Sequence, residues 1–521
     1  MKFRVITLQF LMIMLPGIYW PASPQEIEVS VSKPDVNNGT THMHKIIGHD
    51  QDHFYVIKFY GTQYFLEKLD KDLNPLLEEP IKLFRGIKTY ELETVVHFHN
   101  ELYVFVSRAR IDDITLYYQK ISKDNLQPSS ELTEVTKIKN IKGAWADFHF
   151  ALSRHETKLL IACRTKLSWS GAQFNEMFVF DKGLDLIWKR KDSFEFSGLG
   201  PRDNMYIVDE TGNVSVLSLL KREWIISLVR KIKNLYNIYS YTHNGEVFKE
   251  YPLTITDRFI RGVRIIAGDQ GELICAGLYS DLLRKGVRGS FFFKIDPVTG
   301  NIVDYNLNEF DNALLSQLSK MKEPIIAQEE LISYVITDVV LRENNKIIMI
   351  AEQVFNQPYD TYNNLIITCF DNNGQVYWTQ VIEKNQDFHF RPDTARSIEL
   401  SDYRDYIMET GFLEQGAVNY CSYALMAPLD KSGIIIFYND NIRNLEQPGE
   451  KKNFRHPKKS YILAVTIDEF GNISRNPLVP WKKKASFPEP IRFYDTLHNT
   501  IAIPAFRYRR FNYYKITAHL P

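Results

Sequence analysis

Short apolar runs alternate with polar turns along most of the chain, and the segment Ile332–Ile382 shows this pattern most clearly. One run ends at the polar turn Glu343–Asn345, and a second follows at Ile347–Glu352. A third ends at Asp371–Gly374, and the chain leaves this turn as a strand from Val376. Apolar runs of this length, bounded by Asn, Asp and Gly, are typical of β-strands joined by tight turns. The segment therefore predicts a four-stranded unit, the blade of a β-propeller.

The last turn of this unit recurs along the chain. In each copy an apolar strand ends, a turn of Asp, Asn, Gly or Lys follows, and a strand of alternating character leaves. Gly and Asn suit such turns because they accept positive φ at little cost. The seven copies are Lys68–Pro75, Lys120–Pro128, Val179–Trp188, Tyr241–Tyr251, Lys294–Tyr305, Cys369–Trp378 and Thr466–Ser474. A unit repeated in this way predicts an all-β propeller.

The two ends of the chain are predicted to close the ring. Ile27–Val31 alternates apolar and polar residues without a fault, which is typical of a half-exposed strand, but it has no neighbouring strand in sequence. At the other end, Ile491–Tyr494, Thr500–Phe506 and Phe511–Ala518 form three strands, one short of a blade. Pairing these segments would remove both open sheet edges. The count is then eight blades, and seven remains open because 386–460 is irregular.

One segment has helical spacing instead. Within Asn308–Met321, the residues Phe310, Leu314, Leu318 and Met321 would lie on one helix face. Asn306 or Asn308 could cap the start. We expect a short helical insertion near 308–321 that covers core, with a lid or partner-docking helix as the alternative.

The composition supports a large β core without a strong electric field. Apolar residues make up 44% and aromatic residues 13% of the 521 residues, enough for one large domain over 25–521. Lys plus Arg (63) equals Asp plus Glu (63), so no whole-molecule charge attracts nucleic acid or an anionic membrane. Nucleic acid is not an expected partner, and a monomer is expected.

The N-terminus has the layout of a secretory signal peptide. Lys2 and Arg4 precede an apolar stretch, Val5–Trp20, and Pro21–Gln25 is a small-residue, helix-breaking end. We expect a signal peptide at 1–24 and a secreted or periplasmic protein; an uncleaved anchor is the alternative. No cysteine lies near the cleavage region, so lipid anchoring is not expected. No later segment is apolar enough to span a bilayer.

The cysteines do not point to a metal or redox site. Cys163, Cys275, Cys369 and Cys421 are far apart, mostly in apolar runs, and no Cys-x-x-Cys or Cys/His spacing occurs. Buried thiols are expected, and one disulfide remains open. No cofactor is predicted.

Two polar groupings could carry chemistry. His42, His44, His49 and His53 with Asp50 and Asp52, and the pair His97 and His99, contain metal-ligand types, but polar turn residues are the favoured interpretation. Asp393, Asp402, Asp405 and Glu409 near Arg391 and Arg404 could serve glycoside hydrolysis, although a solvated loop is favoured. We predict no catalytic residue and no metal site, since nucleophile-elbow, P-loop and dinucleotide motifs are also missing from the sequence.

Aromatic residues in expected inter-blade loops could contact a ligand. These residues are Trp145, Trp169, Tyr359, Tyr362, Tyr403 and Tyr406. Packing between blades is the favoured role for most of them. The candidate ligand contacts are Arg391, Asp393, Tyr403, Arg404, Trp145 and Trp169.

Two stretches in the second half resemble a known group of proteins. NNKIIMIAEQ with YNNLIITCFDNNGQVYWTQVIEKNQ, and KSGIIIFYNDNIRNL with SYILAVTIDEFGNISRNPL, resemble uncharacterised secreted β-propeller-like proteins of Bacteroidetes-type bacteria. The resemblance implies the repeat fold and a bacterial envelope location, and it implies no activity. We expect a binding or scaffold protein for a protein or glycan of the cell envelope. The alternative is a carbohydrate-active hydrolase or lyase with acid and base residues at the central channel.

Overall fold

The computed structural model of the chain is an eight-bladed β-propeller. The structure describes residues 27–33, 35–36, 41–60, 63–85, 88–111, 113–139, 144–167, 172–195, 204–225, 231–282, 286–320, 325–326, 330–355, 360–388, 421–428, 432–446, 452–455, 460–480, 487–488, 494–495, 499–507 and 510–518.

The first four blades each contain four antiparallel strands in chain order. Blade one is Thr41–His49, His53–Tyr60, Gln63–Asp70 and Pro75–Pro80, and blade two is Glu91–Phe98, Glu101–Ala109, Asp113–Ile121 and Thr133–Lys139. Blade three is Ala144–Leu152, Lys158–Leu167, Ala172–Asp181 and Leu186–Glu195, and blade four is Asn204–Val208, Val214–Ile225, Lys231–Thr242 and Val247–Leu253.

Blades five to seven repeat the arrangement, and blade eight is completed by the N-terminal strand. Blade five is Phe259–Ala267, Leu273–Ser280, Gly289–Ile295 and Ile302–Glu309, and blade six is Tyr334–Leu341, Ile347–Phe355, Asp360–Phe370 and Val376–Ile382, with Gln386–Phe388 added to its third strand. Blade seven is Ala424–Met426, Ile434–Asn441, Ser460–Ile467 and Ile473–Pro480. Blade eight contains Phe487–Pro488, Tyr494–Asp495, Thr500–Arg507, Arg510–Ala518, Ile27–Val31 and Asp35–Val36.

The remaining elements are short. Two small antiparallel pairs join Phe84–Arg85 to Lys88–Thr89 and Ile325–Ile326 to Glu330–Leu331. The helices described are Asn312–Lys320 and Ile442–Glu446.

The apolar core lies between successive blades. One cluster joins Ile348, Ile350 and Ile367 of blade six to Ile434 and Ile436 of blade seven, all buried. Equivalent clusters occupy the other interfaces between blades. First strands of neighbouring blades contact one another, which places them innermost, around the channel. The four predicted strands within Ile332–Ile382 are confirmed as blade six.

The predicted closure of the ring is also confirmed. Ile27–Val31 pairs antiparallel with the last strand, with Ile27 opposite Ala518 and Val31 opposite Tyr514. Buried Ser32 extends this pairing, since its backbone N–H donates to the carbonyl of Tyr513 at 2.9 Å and its hydroxyl accepts from the Tyr513 N–H at 2.8 Å. The described residues form eight sheets of four or more strands, so the count is eight.

All seven predicted turns lie between the third and fourth strands of blades one to seven. In blade six, Asp371 Oδ1 accepts from the backbone N–H groups of Asn373 and Gln375, both at 2.9 Å, and Gly374 has φ of +78°. The same two side-chain bonds occur at Asp70, Asp181 and Asp468. These bonds explain why an aspartate opens these turns.

The helical insertion is confirmed, with a later start than expected. Asn306 and Asn308 lie on the fourth strand of blade five, and the helix is Asn312–Lys320. Asp311 caps it instead, because its Oδ1 accepts from the Leu314 N–H at 2.7 Å. Leu314 and Leu318 are buried in the cluster between blades five and six, so the helix covers core.

All four cysteines are buried thiols in the described chain. Burial raises the pKa of the Cys369 thiol to about 12, which suppresses thiolate formation. Among the described residues, no helix has the length and apolar character needed to cross a membrane. The predicted signal peptide, 1–24, lies outside the described residues.

Candidate functional site

A cleft of about 930 Å³ opens across blades eight, one and two. It lies on the face that carries the turns after the first and third strands of each blade, here called the turn face. Its volume is near the upper end of the range for small-molecule sites. The cleft is lined by His49, Asp50, Gln51, Asp52, His53, Phe54, Tyr55, Lys68, Lys71, Asn100, Lys123, Asp124, Thr500 and Lys515.

Asp50 is the centre of the polar network in this cleft. It follows the first strand of blade one, and its Oδ1 accepts from the backbone N–H groups of Asp52 at 3.1 Å and His53 at 2.9 Å. Its Oδ2 accepts from the Tyr55 hydroxyl at 2.8 Å and from Lys123 Nζ at 3.0 Å. Because Lys123 belongs to blade two, this ion pair ties the two blades together across the cleft floor.

The network holds Asp50 ionised. Burial alone would raise the pKa of Asp50, but hydrogen bonds from Tyr55, Lys123 and the Asp52 N–H outweigh burial and hold that pKa well below its usual range. Burial and the bond to Asp50 raise the pKa of Tyr55 far above its usual value. Tyr55 is therefore a fixed hydrogen-bond donor and not a nucleophile.

His97 supports this network from blade two. Its ring stacks on Tyr55 with 5.9 Å between centroids, and only 9% of the residue is exposed. Burial, with smaller effects from Lys123 and His49, lowers the pKa of His97 to about 4. A Cβ placed on Gly48 would lie 2.3 Å from the His97 Cβ, so a glycine is required for this contact. The imidazole is neutral at physiological pH and acts as packing under the cleft.

Three further lysines line the cleft without a carboxylate partner among the described residues. Lys68 Nζ donates to the carbonyl of Lys123 at 3.1 Å, and Lys515 Nζ donates to the carbonyl of Lys71 at 2.7 Å. Lys71 itself is exposed on the turn after the third strand of blade one. Backbone carbonyls position two of these ammonium groups but do not cancel their charge.

A second polar grouping lies on innermost strands, away from the turn face. Glu93 and Asp147 lie on the innermost strands of blades two and three. Each residue is six positions before the turn that follows its strand. Burial, with the charges of Glu91 and Asp147, raises the pKa of Glu93 despite a hydrogen bond from Ser107. Asp147 accepts from Arg164 at 2.9 Å.

Arg154 crosses the channel mouth on the turn face. It follows the first strand of blade three, yet its guanidinium donates to Asp269 of blade five and to the carbonyl of Leu341 in blade six.

The structure describes few of the ligand contacts proposed from sequence. Arg391, Asp393, Tyr403, Arg404 and Trp169 lie outside the described residues, as do Asp402, Asp405, Glu409, Tyr359 and Tyr406. Trp145 lies on the first strand of blade three, and its side chain is not among those that the structure describes. Tyr362 was expected in a loop between blades, and this expectation is wrong. The residue lies on the third strand of blade six and is 3% exposed.

The histidine cluster is divided by the fold. His49 and His53 flank the turn at Asp50, as expected, and line the cleft, whereas His97 is buried under Tyr55. His42 and His44 lie on the first strand of blade one, with side chains outside the description. Across the described residues, no three His, Cys, Asp or Glu side chains are placed to hold a metal ion.

The lysines were missed from sequence. Lys123 and Asp50 are separated by 73 residues, and Lys515 and Lys71 by 444 residues. Lys71 and Lys123 lie in two copies of the recurring turn, but turn lysines also occur in other blades, so no local signal distinguished these two.

No protein-family model and no curated protein matches the sequence. The chain is similar in structure to an oligogalacturonate lyase in complex with manganese (TM-score 0.38, 11% identity, 79% of this chain and 93% of that chain). It is also similar to prolyl oligopeptidase B from Galerina marginata (0.38, 9%, 91% and 56%) and to an apocarotenoid oxygenase from Synechocystis (0.31, 8%, 96% and 95%). Similarities this distant do not bear on activity.

Proposed function

We propose that this propeller is a binding protein of the bacterial cell envelope, secreted or periplasmic, that recognises a glycan or protein partner at the turn-face cleft. The observation that carries this proposal is the cleft itself, about 930 Å³, lined by polar side chains from three blades. Sites built between rigid elements hold their contacts in place before a ligand arrives, which lowers the entropy cost of binding.

The chemistry of the cleft favours binding over catalysis. Asp50 is ionised and already accepts four hydrogen bonds, from two backbone N–H groups, Tyr55 and Lys123. The raised pKa of Tyr55 keeps its proton in place. A general base needs a free lone pair and a pKa near the working pH, and Asp50 has neither.

A binding assay with a blocked cleft tests the proposal. The chain starting at Gln25 is immobilised and exposed to a glycan panel and an envelope extract. Gln51→Trp fills the cleft from an exposed turn position, and Asn344→Trp places the same ring on the equivalent turn of blade six. We expect at least one ligand to be retained by the wild type and by Asn344→Trp but lost from Gln51→Trp. Retention of no ligand, or equal retention by both variants, would contradict the proposal.

A second candidate function is carbohydrate hydrolysis or lyase chemistry in the channel. It is favoured by Glu93, whose raised pKa suits a general acid, and by Asp147, a second carboxyl group on the innermost strand of the next blade, which accepts a hydrogen bond from Arg164. A pair of carboxyl groups in unlike environments is the arrangement that such chemistry uses.

Product formation separates the two functions. Envelope and plant polysaccharides are incubated with the chain, and new reducing ends or unsaturated products are measured. The enzyme proposal expects turnover that Glu93→Gln reduces by at least about 100-fold, the usual effect of removing a general acid. Glu134→Gln, at an exposed position on the fourth strand of the same blade, is the control. Absence of product with every polysaccharide would remove this candidate and leave the binding proposal standing.

A further inference from the structure

We infer that the ligand of the turn-face cleft is an acidic saccharide, a sugar chain that carries carboxylate or phosphate groups. This inference rests on the proposed binding function and names the ligand class for that same site. It follows from three properties of the described part of the cleft: its excess of ammonium groups without a carboxylate partner, its acceptors for hydroxyl groups, and the burial of its aromatic rings.

The charges in the cleft do not cancel. Four lysines line it, Lys68, Lys71, Lys123 and Lys515, against three aspartates. Lys123 is neutralised by Asp50, whereas the other three lysines form no ion pair with any described residue. The chain as a whole has equal numbers of acidic and basic residues, so this excess is local. An anionic group on a ligand would supply the missing partner.

A bare polyanion does not fit the rest of the lining. Asp52 and Asp124 also lie in the cleft and form no ion pair with a described residue, so they would repel a ligand made only of anionic groups. The carboxylates of these two aspartates and the side-chain amides of Gln51 and Asn100 are groups that accept hydrogen bonds from hydroxyl groups. A ligand that offers both hydroxyl donors and an anionic group satisfies both halves of the lining. An acidic saccharide has both.

The described Phe and Tyr side chains of the cleft cannot supply affinity by stacking on a sugar. Phe54 and Tyr55 line the cleft but are only 7% and 0% exposed, so neither presents a ring face to a sugar. Binding must therefore depend on charge and hydrogen bonds. Exposed charge pairs weaken as salt screens them, whereas stacking does not. Affinity for the acidic saccharide should fall with ionic strength.

Calorimetry with matched saccharides tests the inference on the chain starting at Gln25. The probes are a glucuronate-containing hexasaccharide, the same saccharide with its carboxylates methyl-esterified, mannose 6-phosphate oligosaccharides and a neutral hexasaccharide. Each is titrated at about 50 mM and about 500 mM sodium chloride. We expect binding of the carboxylated or the phosphorylated probe, with the stronger of the two identifying the source of the charge, and loss of binding on esterification.

Two lysine variants locate the contact. Lys71 and Lys182 occupy the same position in the turns of blades one and three, after Asp70 and Asp181, and both are exposed. Lys71→Gln and Lys515→Gln should each weaken binding of the acidic probe by about fivefold, the scale of one exposed charge pair. Lys182→Gln should leave binding unchanged. All three positions are at the surface or its edge, so the fold should tolerate the substitutions.

The outcomes separate this inference from the proposed function. If a neutral saccharide or a protein binds and Gln51→Trp abolishes that binding, the cleft is a binding site and the acidic-saccharide inference is wrong. Equal losses in Lys71→Gln and Lys182→Gln would also overturn it, because the charge would then act from any position on the turn face. If no probe or extract component binds, both proposals are wrong.

Discussion

At the scale of single residues, the balance between burial and hydrogen bonding decides the protonation states around the cleft. Asp50 stays ionised because Tyr55, Lys123 and backbone N–H groups compensate the burial of its charge. His97 has no such compensation: its Nε2 is buried and accepts or donates no hydrogen bond among the described residues. The uncharged imidazole is therefore the stable form.

The lowered pKa of His97 makes the stability of the protein depend on pH. The ordinary histidine pKa of 6.5 applies to the unfolded chain and about 4 to the folded one, so between these values the unfolded state binds more protons. Stability is then lost as the pH falls from about 6.5 towards 4. We expect this residue to contribute a loss of about 2–3 kcal/mol between pH 7 and pH 4.5.

Urea unfolding of the wild type and of His97→Phe, which keeps a ring on Tyr55, measures this contribution at the two pH values. The wild type should lose more stability than the variant by the stated amount. If both proteins lose the same amount, the imidazole is not held neutral and the assignment is wrong.

At the scale of elements, turns in one blade pack against aromatic residues of the preceding blade. Trp188 of blade three donates its indole N–H to the carbonyl of Gly212 in blade four at 2.9 Å, and Trp378 of blade six donates its indole N–H to the backbone carbonyl of Glu469 in blade seven at 3.1 Å. In the same way, Phe292 of blade five lies against Gly374 in blade six. These contacts make the turns part of the interface between blades, beyond their role in reversing the chain.

Two glycine substitutions separate these two roles. Gly374 and Gly271 have φ of +78° and +82°, but a Cβ at Gly374 would lie 2.1 Å from Phe292, whereas the nearest atom at Gly271 is 3.7 Å away. Positive φ costs an alanine about 1–2 kcal/mol at either site. Gly374→Ala should lose about 1–3 kcal/mol more than Gly271→Ala, because Phe292 must move. Chemical denaturation of both variants checks this, and equal losses would show that the aromatic contact can relax.

The aspartate turns were predictable from sequence because their bonds are local, from Asp371 to residues two and four positions later. The residue at the positive-φ position of these turns was harder to predict from sequence. Leu73 and Leu184 take that position in blades one and three, with φ of 62° in both. Burial of these leucines between blades offsets the backbone strain, and burial is a tertiary property.

At the scale of the whole molecule, the ring depends on one strand from the far end of the chain. Ile27 and Val29 of that strand pack on the cluster between blades seven and eight. Without it, the last strand would have a bare edge and the cluster would lose part of its cover. Closure also positions the cleft, since Thr500 and Lys515 reach it only from blade eight.

Removal of the closing strand should destabilise the ring. A chain that starts at Lys33 is expected to unfold at a lower temperature than one that starts at Gln25, as measured by calorimetry. A milder pair addresses the case in which the shortened chain fails to fold. Val29→Asp places a charge against the core cluster and should lower the melting temperature, whereas Glu28→Gln changes an exposed residue on the same strand and should not. Unchanged melting in both shortened and Val29→Asp chains would contradict closure by this strand.

The sequence by itself determined the strands, the aspartate turns, the helical insertion and the closing strand. Each of these follows from residues close together in the chain, or from an unpaired strand at one end and a missing strand at the other. Only the tertiary structure decided the cleft. Its ion pair joins Asp50 to Lys123 across 73 residues, and its rim joins Lys71 to Lys515 across 444. Closure of the ring brings these residues together. Hydrophobic periodicity predicts the strands but does not indicate which polar turns will be neighbours in the folded ring.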